Sequence, residues 1–174
     1  MTNRFSRTIS ATLLLMASSW ASAADFNYNY FEFRTGSSPQ SFGSEFSMNI
    51  TDNFHILASA DSQIDHDWNL AGGIGFNGPV APTTDMFGHL LLHEIKYPKD
   101  DGGDSETLIE LSIGIRTWID DKVEGYGKIG RMDRHSVVGA GVRFHSTGQL
   151  SMNMETSNNG VWGPQIILGV RYQY

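Results

Sequence analysis

"TLIELSIGIRTW", Thr107 to Trp118, alternates without a fault through its middle. Ile109, Leu111, Ile113 and Ile115 fall on one face, and Glu110, Ser112, Gly114 and Arg116 on the other. Successive side chains of a strand point to opposite sides, so this period of two marks a β-strand with one apolar face. The same pattern extends in both directions. "FGSEFSMNIT" sets Phe42, Ser44, Phe46, Met48 and Ile50 against Gly43, Glu45, Ser47, Asn49 and Thr51. "FHILASAD", "WNLAGGIGFN", "VVGAGVRFH" and "LSMNMET" alternate in the same way. So does "QIILGVRYQY", with Ile166, Leu168, Val170, Tyr172 and Tyr174 on its apolar side.

Three weaker segments complete the set: "FNYNYFEFRT" (26–35), "MFGHLLLHEIKY" (86–97) and "VEGYGKIGRM" (123–132). Leu90 to Leu92 are continuous, which leaves the register of the second open. The sum is ten strands, with eight as the alternative. Between them, compact connections ("TDN", "GPVAPTTD", "IDDK", "STGQ") take turns with more polar ones ("GSSPQS", "SQIDHD", "PKDDGGDS", "MDRH", "SNNGVW"). An even count with short turns at one end and longer loops at the other is the parity of a bacterial outer-membrane barrel. A strand of ~10 residues, tilted ~40°, covers about 25 Å, the height of an outer-membrane apolar band.

The first 23 residues read as a signal peptide. Arg4 and Arg7 precede an apolar run from Ile9 to Ala17, and Ala21-Ser22-Ala23 has the form of a cleavage site. The run is shorter than the ~20 residues a spanning helix needs. Cleavage leaves a single domain, 24–174, with a formal charge lowered from -7 by the two arginines to -9. Such acidity argues against nucleic acid as a partner. The absence of cysteine excludes disulfides and thiol-ligated metal. A β-sandwich or lipocalin-like barrel would also alternate, but it would put its charged face in water. Here the non-apolar face is rich in Gly, Ser and Asn, as a narrow packed lumen requires. Aromatics near strand ends (Tyr28, Tyr30, Phe42, Phe54, Trp68, Phe76, Tyr97, Trp118, Phe144, Trp162, Tyr172, Tyr174) suggest interfacial girdles. The fold class is therefore all-β, an antiparallel transmembrane β-barrel following a cleaved signal peptide.

"FNYNYFEFRTG", "NITDNFHILASAD", "TLIELSIGIRTWIDDKVEGYGKIG" and "VVGAGVRFHSTGQLSMNMET" occur in that order. With them, the chain after residue 23 resembles the small gammaproteobacterial outer-membrane β-barrel proteins of the OmpA/OmpX-like, porin-family type. The resemblance implies an outer-membrane location and assembly by the barrel-insertion machinery. The closing strand resembles the C-terminal insertion signal of such barrels, carried by Gly169, Tyr172 and Tyr174. Ile167 departs from it, standing where a polar residue is usual.

Three chemistries could in principle draw on these residues. A lipid A deacylase of this size uses a His-x-Ser pair, whereas His145 and Ser146 are adjacent and face opposite ways. Outer-membrane proteases gather Asp and His at a tall outer rim. Asp61, Asp65, His66, Asp67, Asp133 and His135 are expected at that rim here, but the loops are short. His89 and His93, four apart on a strand, are ~13 Å apart and cannot share an ion. The loop acids Asp100, Asp101, Asp104 and Glu106 lack EF-hand spacing. No catalytic residue, cofactor or metal site is assigned.

The inward face carries the sharper feature. Parity sends Glu32, Arg34, Glu45, Glu110, Arg116, Glu124, Lys128, Arg143, Glu155 and Arg171 into the lumen. Ions in a confined interior persist only when paired, so a cross-strand salt-bridge network that fills the lumen is expected. The sequence alone ranks a structural or surface-contact role in the cell envelope first. A narrow channel for small solutes or ions is second, and a lipid-modifying or proteolytic barrel third. The expected surroundings are outer-membrane lipid and lipopolysaccharide, and the expected state is a monomer. Deleting Tyr172 to Tyr174 should impair insertion, read as loss of the heat-modifiable form in outer-membrane fractions. Undiminished heat-modifiable protein would remove the insertion-signal role.

Overall fold

The computed structural model describes residues 26–64, 67–96, 105–160 and 162–174. The signal segment with Ala21 and Ala23, the loop residues Asp65 and His66, and Tyr97 with Asp100, Asp101 and Asp104 lie outside the described residues. Ten strands follow one another: β1 (Tyr30–Ser37), β2 (Ser41–Thr51), β3 (Phe54–Gln63), β4 (Trp68–Ala81), β5 (Thr84–Lys96), β6 (Ser105–Asp120), β7 (Val123–Met132), β8 (His135–His145), β9 (Leu150–Asn158) and β10 (Pro164–Gln173). Each pairs antiparallel with its chain neighbours, and β1 closes the ring on β10, from Tyr30 opposite Gln173 to Ser37 opposite Ile166. Closure leaves no edge strand. Both described ends of the chain lie at the end of the barrel that carries the short turns.

The barrel is inside out relative to a water-soluble domain. Phe33 and Leu111 are each 64% exposed, and Leu92, Ile115, Met154 and Leu168 are more than half exposed. The lumen side buries Glu32, Arg116, Glu124, Arg143 and Arg171 almost completely. Each large apolar side chain left in water forgoes ~1.5–3 kcal/mol. A belt of more than twenty of them would forgo tens of kcal/mol, against a typical net stability of about 5–15 kcal/mol. Only a hydrocarbon surround makes this outer face tenable, so the barrel spans a membrane.

Several local expectations change. Leu90 and Leu92 face outward and Leu91 faces the lumen, which fixes the register of β5. The "GPVAPTTD" connection is largely strand, because a register shift between Pro79 and Ala81 accommodates the proline. Tyr28 and Tyr30 are not girdle residues. They share the parity of Glu32 and Arg34, and both are buried inside. Trp118 likewise turns to the mouth of the lumen and stacks on Phe26 at 5.5 Å. Trp162 also leaves the expected girdle and lines the lumen cavity, whereas Phe42, Phe54, Phe76, Phe144, Tyr172 and Tyr174 are exposed on the outer face.

The wall is uneven, from 8 residues in β1 to 16 in β6. Where it is tall, Ile95, Leu108, Met132 and Val137 pack into a small apolar cluster inside the loop end. Lumen-facing glycines let the strands approach closely. A Cβ on Gly73 would lie 2.1 Å from the Leu90 carbonyl oxygen and 2.9 Å from Leu91 Cα, both backbone. On the outward neighbour Gly72 the nearest atom is 3.8 Å away. Gly73→Val should therefore lower stability by roughly 1–3 kcal/mol, while Gly72→Val should not. Urea midpoints of the refolded proteins in detergent micelles read the difference, and equal midpoints would refute the close-approach argument.

Candidate functional site: the lumen

All ten inward charges line a single cavity of 170 Å³. Antiparallel pairing brings them within reach because every inward position has inward neighbours on both adjacent strands. Glu32 on β1 sits directly opposite Arg171 on β10, and its Oε2 accepts from Arg171 Nε at 2.5 Å and from Arg143 Nη2 at 3.1 Å. Glu124 on β7 accepts from Arg116 at both oxygens, 2.8 and 3.0 Å. It also meets His145 Nε2 at 3.2 Å and Arg143 Nη1 at 3.8 Å. Arg34 bridges two carboxylates, with Nη1 on Glu45 at 2.8 Å and a bidentate pair on Asp61 at 2.7 and 2.6 Å. Arg171 Nη2 lies 3.9 Å from Glu45.

These contacts join into one relay across the lumen: Asp61, Arg34, Glu45, Arg171, Glu32, Arg143, Glu124, Arg116. It ties β1, β2, β3, β6, β7, β8 and β10 together from inside. Aromatic groups fill its margins. Arg171 lies 3.4 Å from the Tyr30 ring centroid, and Tyr30 donates to Glu45 at 2.7 Å. Tyr126 donates to Glu155 at 2.9 Å and accepts from Asn153 at 3.2 Å. Lys128 stands within electrostatic reach of Glu110, Glu155 and Glu45. His93 Nε2 lies 3.2 Å from Glu110, an ion-pair distance without hydrogen-bond alignment.

The sequence reading missed several of these partners. Asp61, expected at the outer rim, belongs to the lumen because it shares the parity of His55 and Leu57. Tyr30, Tyr126, His93 and His145 supply contacts that no spacing along the chain announces, since each is set by cross-strand register. His145 engages Glu124, while Ser146 donates its hydroxyl proton to the Leu150 carbonyl at 2.9 Å. The two residues are not a nucleophile and its base. Gly169 faces inward, where a Cβ would lie 2.3 Å from Asn153 Oδ1 and 3.0 Å from Glu32 Oε1. Tyr172 and Tyr174 are half exposed outside, and the Tyr174 hydroxyl donates to the Ser47 carbonyl at 3.2 Å.

At the turn end, the segment before β1 folds under the barrel. Phe26 and Tyr28 are buried, and both rings lie against the Arg116 guanidinium, at 4.8 and 4.7 Å to their centroids. Tyr28 also stacks on His55 at 4.8 Å. On the far side of this layer is a second cavity of 630 Å³, an open vestibule walled by Asn27, Asn49, Lys122, His145 and Gln173 among others. Arg116 lines both cavities.

Comparison with solved structures finds KdgM porin, free and in complex with disordered oligogalacturonate. Each aligns with a TM-score of 0.54 over 83% of this chain and 99% of that one, at 7% identity. A de novo designed transmembrane β-barrel aligns at a TM-score of 0.44 and 14% identity, over 87% of this chain and all of that one. No family model matches the sequence, and no curated protein does. At 7% identity, KdgM porin shares the fold.

Within the relay, Glu32, Glu45 and Glu124 each contact two arginines. Glu32→Gln should leave Arg143 and Arg171 with only the longer contacts to Glu124 and Glu45, at 3.8 and 3.9 Å, destabilising the barrel by roughly 3–5 kcal/mol. The outward Glu94→Gln should change stability by less than about 0.5 kcal/mol. Denaturant midpoints in micelles measure both, and equal midpoints would mean that Glu32 does not organise the lumen.

Proposed function

We propose that the protein is a narrow channel for small solutes or ions, monomeric in an outer membrane and surrounded by lipid and lipopolysaccharide. Barrel-assembly machinery would insert it. This reverses the order that the sequence alone suggests, in which a structural or surface-contact role comes first. One observation carries the reversal. The lumen is hollow on both sides of a single layer, made by Arg116 with Phe26 and Tyr28. A barrel kept only as a wall has no use for a polar cavity above that layer and an open vestibule below it. The porin fold of its structural neighbour agrees with this reading.

The cavity also bears on what would pass. Its walls carry Glu32, Glu45, Asp61, Glu110, Glu124 and Glu155 against Arg34, Arg116, Lys128, Arg143 and Arg171. The signs nearly cancel, and each arginine is already bound to a carboxylate. A polyanion such as the oligogalacturonate bound to KdgM porin would have to displace those pairs. Small neutral or cationic solutes would not.

Planar-bilayer recordings test the proposal. Wild-type protein should conduct far below the level of a general porin. The double variant Phe26→Ala with Tyr28→Ala should conduct several-fold more, because the layer at Arg116 is thinned. Silence in both proteins would return the structural role to first place. Wild-type conductance at the general-porin level would overturn the constriction.

A further inference from the structure

Two histidines that the charge relay does not use meet inside the lumen. His55 on β3 and His89 on β5 are both paired with Gly75, which lies between them on β4. Three neighbouring strands thus present imidazole, no side chain, imidazole. Strands lie ~4.8 Å apart, so the two rings can reach each other only over a residue without a Cβ. A Cβ on Gly75 would stand 2.1 Å from His55 Nε2. The Nε2 atoms of the two histidines are 3.4 Å apart.

The first ring is locked from behind. Asn77 Nδ2 donates to the Asp52 carbonyl at 3.2 Å, which turns Asn77 Oδ1 towards His55 Nδ1 at 2.9 Å. That contact requires the proton on Nδ1, so the neutral ring presents a bare lone pair at Nε2. Tyr28 stacks on one of its faces at 4.8 Å. A ring nitrogen held by an amide or carbonyl oxygen, with the other nitrogen free, is how proteins orient metal-ligating histidines. His89 packs against Phe87 and lines the 170 Å³ cavity, so its side of the pair is open to solutes in the lumen.

We propose that His55 and His89 form a binding site for a divalent transition metal such as Zn²⁺, with lumen water completing its coordination. Zinc–imidazole bonds of 2.0–2.1 Å on a tetrahedron place two nitrogens about 3.4 Å apart, the separation found between these two atoms. Without metal, His89 Nε2–H donates to His55 Nε2. With metal, His89 carries its proton on Nδ1 and offers the Nε2 lone pair, so two neutral imidazoles bind without net proton release. Glu45 and Glu110 bear on this position and favour a cation, while Lys128 and Arg116 oppose one.

Calorimetric titration of Zn²⁺ into the refolded full chain in micelles, which does not depend on conduction, tests the site. One equivalent should bind, with affinity falling at least tenfold in His55→Ala and in His89→Ala and staying unchanged in the exposed His135→Ala. Asn77→Ala, which touches no metal, should weaken binding roughly 10–100-fold. Should either histidine variant fail to fold, X-ray absorption at the zinc edge of the loaded wild type decides. Two imidazole ligands at about 2.0 Å support the site. No binding at millimolar Zn²⁺, equal binding in folded histidine variants, or fewer than two imidazoles would reduce the pair to a hydrogen bond.

Discussion

A carboxylate between two guanidinium groups is the arrangement on which this lumen rests. Glu32 holds Arg143 and Arg171, and Glu124 holds Arg116 and, at longer range, Arg143. Ions taken out of water carry desolvation penalties of several kcal/mol each, and only close opposite charge offsets them. The relay therefore has to be nearly complete or absent. Because its members come from seven strands, satisfying it also fixes how the wall curves. Barrel closure and lumen electrostatics are here one constraint seen from two sides.

The remaining inner surface shows what happens where charge is left out. On the tall side of the wall, Ile95, Leu108, Met132 and Val137 seal part of the loop end with apolar packing. None of the four lines the main cavity. The cavity reaches the rim instead beside Gly36, Ser41, Asn159 and Gln165, on the side of β1, β2, β9 and β10. At the other end, Phe26, Tyr28 and Trp118 do the sealing around Arg116. Apolar clusters thus close the two ends of the barrel, and between them the ions share the middle with a few apolar side chains such as Leu57 and Leu91.

The fold was legible because period two survives in nearly every strand, and period two is all that an inside-out barrel needs. Parity also identifies which residues share the inner face. It does not say how far one strand has slid past the next, and most of the site depends on that slide. Asp61 reaches Arg34, and His55 reaches His89, through register alone. Tyr28 and Tyr30 show a different failure. Aromatics near strand ends suggest a girdle by composition, but their parity with Glu32 places them inside. Where composition and parity disagreed, parity was the better guide, because the pleat admits no exceptions within an unbulged strand.

The uneven wall has a consequence for the bilayer. At ~3.3 Å per residue and ~40° of tilt, β1 rises only about 20 Å while β6 rises about 40 Å. Hydrocarbon against the β1–β10 seam must thin to keep the apolar belt covered, and on the opposite side it need not. The protein would then carry a direction in the membrane plane. Its seam would prefer short or disordered acyl chains.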